Sequence, residues 1–121
     1  MRTTTKLAED YISLWNETDG SRRRALLAAT WTASALYVDP LMKGAGHGEI
    51  DALIGAVQQR FPAYAFTLLG AADGYADVAR FSWALGPKGG DAVVKGTDFV
   101  RCEGDKIAAV TEFLDLVPSA A

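Results

Sequence analysis

The hydrophobic pattern changes period about half-way along the chain. In the first half, apolar residues recur every three or four positions. Leu7, Ala8, Tyr11, Ile12 and Trp15 form one such stripe, which predicts an amphipathic helix capped somewhere in Thr3 to Thr5. Asn16 to Gly20 breaks it, and Ser21 is the expected cap of a second short helix carried by Ala25, Leu26, Ala29 and Thr30. Ser34 to Val38 predicts a strand, stopped by Asp39-Pro40 because proline holds its predecessor extended and lacks an N–H for the ladder. A brief strand is expected over Leu41 to Lys43 and a flexible turn over Gly44 to Gly48. Ile50, Leu53, Ile54, Val57 and Phe61 then give a third helix, closed by Pro62.

From Tyr64 the period drops to two. Tyr64 to Ala72 and Tyr75 to Leu85 predict strands joined by a hairpin at Asp73-Gly74. Gly86 to Gly90 is a looser turn, followed by a strand over Ala92 to Cys102. Glu103-Gly104-Asp105 turns the chain into Lys106 to Val117, and the tail from Pro118 to Ala121 is expected to fray. Helices first and long strands afterwards predict an α+β fold. One curved, cone-shaped antiparallel sheet would hold three N-terminal-half helices on its concave face, and the mouth of the cone is a natural ligand cavity.

The Ala92 to Cys102 strand carries the strongest chemical signal. One face bears Ala92, Val94, Gly96, Asp98, Val100 and Cys102, and the other bears Lys95 and Arg101. Asp98 is therefore the one ionisable group on the dry face, where a carboxylate must be paired or stay protonated. It is either a structural acid, with Arg80 as a candidate partner, or a working one. Pairing Trp83 with Val94 would put Phe81 opposite Gly96, so that both rings share the Asp98 face. Pairing Cys102 with Lys106 would put Val110 opposite Asp98 and Glu112 diagonal to it. A slip of one residue would reverse every side chain.

Asp39 is either a turn aspartate bonding its own backbone or a functional acid, with Tyr37, Met42 and the third helix beside it. Tyr11 is either a core tyrosine or a hydroxyl aimed at a ligand. His47, between two glycines, has the pattern of a loop or cap residue. With Trp15, Tyr37, Met42, Phe81, Trp83 and Glu112 it completes the set of candidate cavity residues.

Composition narrows the classes. The chain has 121 residues, 50% hydrophobic and 22% charged, which suits one globular domain over residues 1–121. A net charge of −3 argues against a nucleic-acid partner, and Arg22-Arg23-Arg24 has the pattern of a solvated helix face. Cys102 is the single cysteine, so no intrachain disulfide forms. Without an apolar signal core or a long apolar run, a cytoplasmic protein with no membrane partner is expected. One histidine offers neither a zinc set nor a Ser/His/Asp triad, and Gly86 to Gly90 precedes no helix that would make it a phosphate loop. No metal or cofactor is expected.

Three segments in order carry a resemblance: Asp10-Tyr11-Ile12-Ser13-Leu14-Trp15-Asn16, then Tyr37-Val38-Asp39-Pro40, then Gly96-Thr97-Asp98-Phe99-Val100-Arg101 with Asp105-Lys106-Ile107. The set resembles the nuclear-transport-factor-like (cystatin-like) superfamily, and within it the SnoaL-like polyketide cyclases and ketosteroid isomerase. The resemblance implies Asp39 as general base, with Tyr11 and Asp98 as oxyanion donors. Asp98 also matches the acid/base aspartate of the cyclases. In ketosteroid isomerase an apolar site keeps one acid protonated as a donor while a second, ionised carboxylate takes a proton next to a carbonyl. The implied activity is cofactor-free isomerisation or cyclisation of a small hydrophobic carbonyl compound. Two departures stand out: the segment holding Met42 and His47, and the added acid Glu112. The alternative is a non-catalytic ligand-binding or assembly module. In either case a homodimer through the outer sheet face is expected, where Phe99 would otherwise be exposed.

Overall fold

The computed structural model describes residues 3–118, so residues 119–121 of the tail expected to fray lie outside it. Helix α1 (Thr4–Asn16) starts where expected, with the Thr3 side chain accepting from the Lys6 N–H at 3.1 Å. Leu7, Ala8, Tyr11, Ile12, Leu14 and Trp15 are its buried face. Helix α2 (Gly20–Thr30) starts two residues earlier than Ser21 would put it. Asp19 is the cap, its carboxylate accepting from the Arg22 N–H at 2.9 Å.

The inward row of α2 is also not the expected one. Arg23 and Leu27 are buried, while Ala25 and Ala29 are exposed. The arginine run is therefore not a uniformly solvated face. Arg23 Nε donates to Asp51 Oδ1 at 2.6 Å, and one of its terminal nitrogens donates to the Glu17 carbonyl and to Gln58 Oε1. Gln58 in turn donates to the Trp15 and Glu17 carbonyls. A paired guanidinium thus ties the end of α1, the start of α2 and helix α3 (Gly46–Arg60) together.

Six strands complete the chain: β1 (Trp31–Val38), β2 (Lys43–Ala45), β3 (Tyr64–Tyr75), β4 (Val78–Pro87), β5 (Val94–Glu103) and β6 (Lys106–Leu116). They form one curled, unclosed sheet in the order β2-β1-β6-β5-β4-β3, so the α+β class holds. The sheet is mixed rather than purely antiparallel, because β1 pairs with β6 in parallel. Helix α3 and four intervening strands supply the long crossover that a parallel pair requires. The brief strand lies at Lys43–Ala45, two residues later than expected, and Gly46 to Gly48 belong to α3 rather than to a loose turn.

The β3–β4 turn is not at Asp73-Gly74. Those residues pair with Arg80 and Ala79, and the chain reverses at Ala76-Asp77, where Ala76 has a φ of 49°. Gly74 has a different use. A Cβ there would lie 2.7 Å from Thr4 Oγ1, so its absence lets the start of α1 rest on the strand. At the other end of α1, the Asn16 amide exchanges two hydrogen bonds with the Phe66 backbone, 2.9 and 2.8 Å, and secures the helix against edge strand β3.

The two registers that matter for chemistry differ from the expected ones. Trp83 faces Gly96 and Phe81 faces Asp98, a shift of two residues that leaves every side chain on its expected face. An irregularity near Cys102 puts Glu112 directly opposite Asp98 rather than diagonal to it.

Candidate functional site

The concave face of the sheet, with helices α1 and α3, surrounds a cavity of about 550 Å³. Its wall takes Tyr11 and Trp15 from α1, Tyr37 from β1, Asp39, Leu41 and Met42 from the next loop, and Val57, Arg60 and Phe61 at the end of α3. The sheet adds Phe66, Trp83, Leu85, Val94, Glu112 and Leu114. Most of this surface is apolar or aromatic, and the carboxyl and phenol groups gather on one side of it.

Strand alternation brings those groups together. Tyr37 points inward from β1, and two residues later Asp39 leaves the strand at its rim. Asp39 does bond its own backbone, its Oδ1 accepting from the Leu41 and Met42 N–H groups at 2.7 Å each. Its Oδ2 accepts from the Tyr37 hydroxyl at 2.8 Å, so the turn geometry and the link to the cavity coexist. The Tyr37 oxygen also lies 2.9 Å from Glu112 Oε2. A phenol has one proton to donate, so these two short contacts cannot both be donated by Tyr37. One of the two carboxyls must carry a proton.

Burial identifies which one. Glu112 is 8% exposed and Asp98 is fully buried. Burial, then the Asp98 charge and its hydrogen bond, pushes the Glu112 carboxyl up to about 10. Burial also raises Asp98, against the Trp83 hydrogen bond and the neighbouring Glu112 and Tyr11 hydroxyls, which favour its ionised form. Two facing acids in such surroundings share protons and titrate as a unit. Burial holds the Tyr11 and Tyr37 phenols above their ordinary value, so both stay protonated.

Trp83 anchors the far end of this cluster, its Nε1 donating to Asp98 Oδ1 at 3.1 Å. The Tyr11 hydroxyl and Asp98 Oδ2 are both buried and make no well-aligned hydrogen bond among the described residues, yet each perturbs the other's ionisation. Arg80 does not reach Asp98. It pairs with Asp73 at 3.3 Å on the outer face.

Of the candidate residues, Tyr11, Trp15, Tyr37, Asp39, Met42, Trp83 and Glu112 line the cavity. Asp98 lies behind Glu112, and Phe81 packs edge-on against Tyr11 at 5.0 Å without lining the cavity. His47 is not in the wall either; its Nε2 lies 3.1 Å from the Trp31 carbonyl at the start of α3. Sequence reasoning missed Arg60, although its place three residues after Val57 on the α3 stripe was the available signal. It also missed the phenol bridge from Tyr37 to Glu112, which joins residues 75 apart in sequence.

A curled sheet closed by three helices around buried acids defines the class of protein. The chain matches the model of the SnoaL-like domain over residues 8–110, and it belongs to that family. It is similar to a solved candidate isomerase of the SnoaL-like family from Agrobacterium tumefaciens. That protein is 43% identical, with 93% of this chain and 97% of that one covered and a TM-score of 0.89. The fold is shared with a candidate ketosteroid isomerase from Kribbella flavida (20% identity, 98% and 82% covered, TM-score 0.70). A candidate SnoaL-like polyketide cyclase from Jannaschia shares it too (15% identity, 95% and 90% covered, TM-score 0.71). No curated protein matches the chain. Among the described residues, no helix is long and apolar enough to cross a membrane.

Proposed function

We propose that this chain is a cofactor-free isomerase or cyclase that moves a proton next to a carbonyl in a small hydrophobic compound held in the cavity. The observation that carries this reading is the facing pair Asp98 and Glu112 beside an apolar chamber. A protonated acid there can donate to an oxygen that gains negative charge, and water is largely excluded from around it. Asp39, at the rim, is the base. Glu112 offers its proton to the substrate oxygen, Tyr11 shares the cavity wall with it, and Asp98 acts on Glu112 from behind. The candidate isomerase from Agrobacterium is consistent with this class of reaction.

The test is hydrogen–deuterium exchange at the α-carbon of cyclohexanone and of larger hydrophobic ketones in D2O, followed by NMR. Wild-type protein should exchange these positions, and Asp39→Asn should lose roughly a hundredfold or more of that rate. Ketones that bind without exchanging above buffer would instead establish the non-catalytic module.

The same reading includes a homodimer through the outer sheet face. Leu36, Val38, Phe99 and Phe113 are 57%, 44%, 43% and 56% exposed. Phe99 and Phe113 already pack edge-to-face at 5.8 Å, forming the centre of an apolar patch that a second copy would cover.

A further inference from the structure

The Tyr37 hydroxyl stands between two carboxyls, one at the rim and one in the wall, at 2.8 and 2.9 Å. We propose that Asp39, Tyr37 and Glu112 form a proton relay in which the rim acid and the wall acid exchange protons through one phenol. This inference rests on the proton-transfer reading above and assigns separate carboxyls to taking a proton from carbon and giving one to oxygen.

The cycle balances without any co-reactant. A C–H bond next to the substrate carbonyl breaks, its proton passes to Asp39, and its electron pair enters the enol framework. The Glu112 O–H bond then breaks and its proton joins the substrate oxygen, giving the neutral enol, which ketonises to the isomer with no net gain or loss of a proton. Asp39 is left protonated and Glu112 ionised. Asp39 hands its proton to the Tyr37 oxygen while Tyr37 hands its own to Glu112, and the starting state returns. Tyr37 is a positioning and relay residue, because its hydroxyl is engaged by the two carboxyls.

The groups facing Glu112 favour the reset. Asp98 from β5 and Asp39 from the β1 loop both disfavour its ionised form, and Tyr37 from β1 supports it by hydrogen bonding. Tyr11 from α1 is a protonated phenol on the same side, and Arg60 at the end of α3 is the cation lining the same cavity.

The experiment is a carboxyl-carbon NMR titration of Glu112 in the full chain, as wild type, Asp39→Asn, Tyr37→Phe and the double variant, with no ligand added. The relay requires Asp39→Asn to lower the Glu112 midpoint by roughly one unit when Tyr37 is present, and much less when residue 37 is Phe. An equal fall in both backgrounds would show coupling through space alone and overturn the relay. If Tyr37→Phe does not fold, 3-fluorotyrosine at position 37 preserves the shape and makes the phenol a stronger donor. The Glu112 midpoint must then fall, and an unmoved midpoint overturns the proposal. These readings need no substrate. A relay that fails here while wild-type protein still exchanges cyclohexanone leaves the function standing and removes only the two-carboxyl route.

Discussion

Gly96 faces Trp83 across β4 and β5, and a Cβ at position 96 would overlap the indole ring. The missing side chain is what lets the ring lie along the sheet and reach Asp98 on the next inward position of β5. Gly96 thus belongs to the site without touching it.

Gly96→Ala should therefore displace Trp83 and break its bond to Asp98. Overpacking of this kind costs about 1 to 3 kcal/mol. Urea unfolding should show that loss, and the tryptophan emission of the folded state should change. A variant with unaltered stability and emission would mean that the ring can move aside freely.

Stability should fall as pH rises across the neutral range. The ordinary glutamate value is 4.5, and in the folded chain Glu112 is pushed up to about 10. Between those values the folded state holds a proton that the unfolded state has released. The contribution is fully present below the unfolded value and is lost as pH rises through the folded one, at no more than about 1.4 kcal/mol per pH unit for each proton. Glu112→Gln, which cannot ionise, should flatten this slope. Urea midpoints for both proteins, from roughly pH 6 to roughly pH 9, measure the difference over a window inside the shifted range.

Arg23→Ala should destabilise the fold by about 3 kcal/mol, since it leaves Asp51 without its shortest partner and removes donors that join α1, α2 and α3. Arg22→Ala, on an exposed neighbour, should change stability by no more than about 0.5 kcal/mol. Thermal unfolding of the pair separates the two positions, and equal effects would contradict the role given to Arg23.

Phe99→Lys together with Phe113→Lys should give a monomer if the outer face pairs two copies, because buried like charges would then oppose each other. Light scattering coupled to gel filtration reads the mass directly. A wild-type monomer at high concentration would remove the dimer from the proposal.

Much of the architecture was legible because it depends on periodicity. The stripes of α1 and α3 and the alternation of β4 to β6 were visible, and so was the inward direction of Asp98. The start of α2 was misplaced because Asp19 and Ser21 are chemically similar caps two residues apart. The arginine run misled because composition does not show that Arg23 turns inward to meet both Asp51 and Gln58. The Asp73-Gly74 signal misled for a similar reason, since glycine serves close helix contact as readily as a turn.

The sequence by itself determined which residues face inward, because a pleated strand alternates sides whatever its partner and a two-residue slip preserves that alternation. It also determined that an acid would be buried. Only the tertiary structure decided which groups meet. An irregularity in β5–β6 pairing brings Glu112 opposite Asp98, and parallel pairing of β1 with β6 brings the Tyr37 phenol to Glu112. Hydrogen bonds depend on separations of a few tenths of an ångström between residues far apart in the chain, and local pattern does not encode such distances.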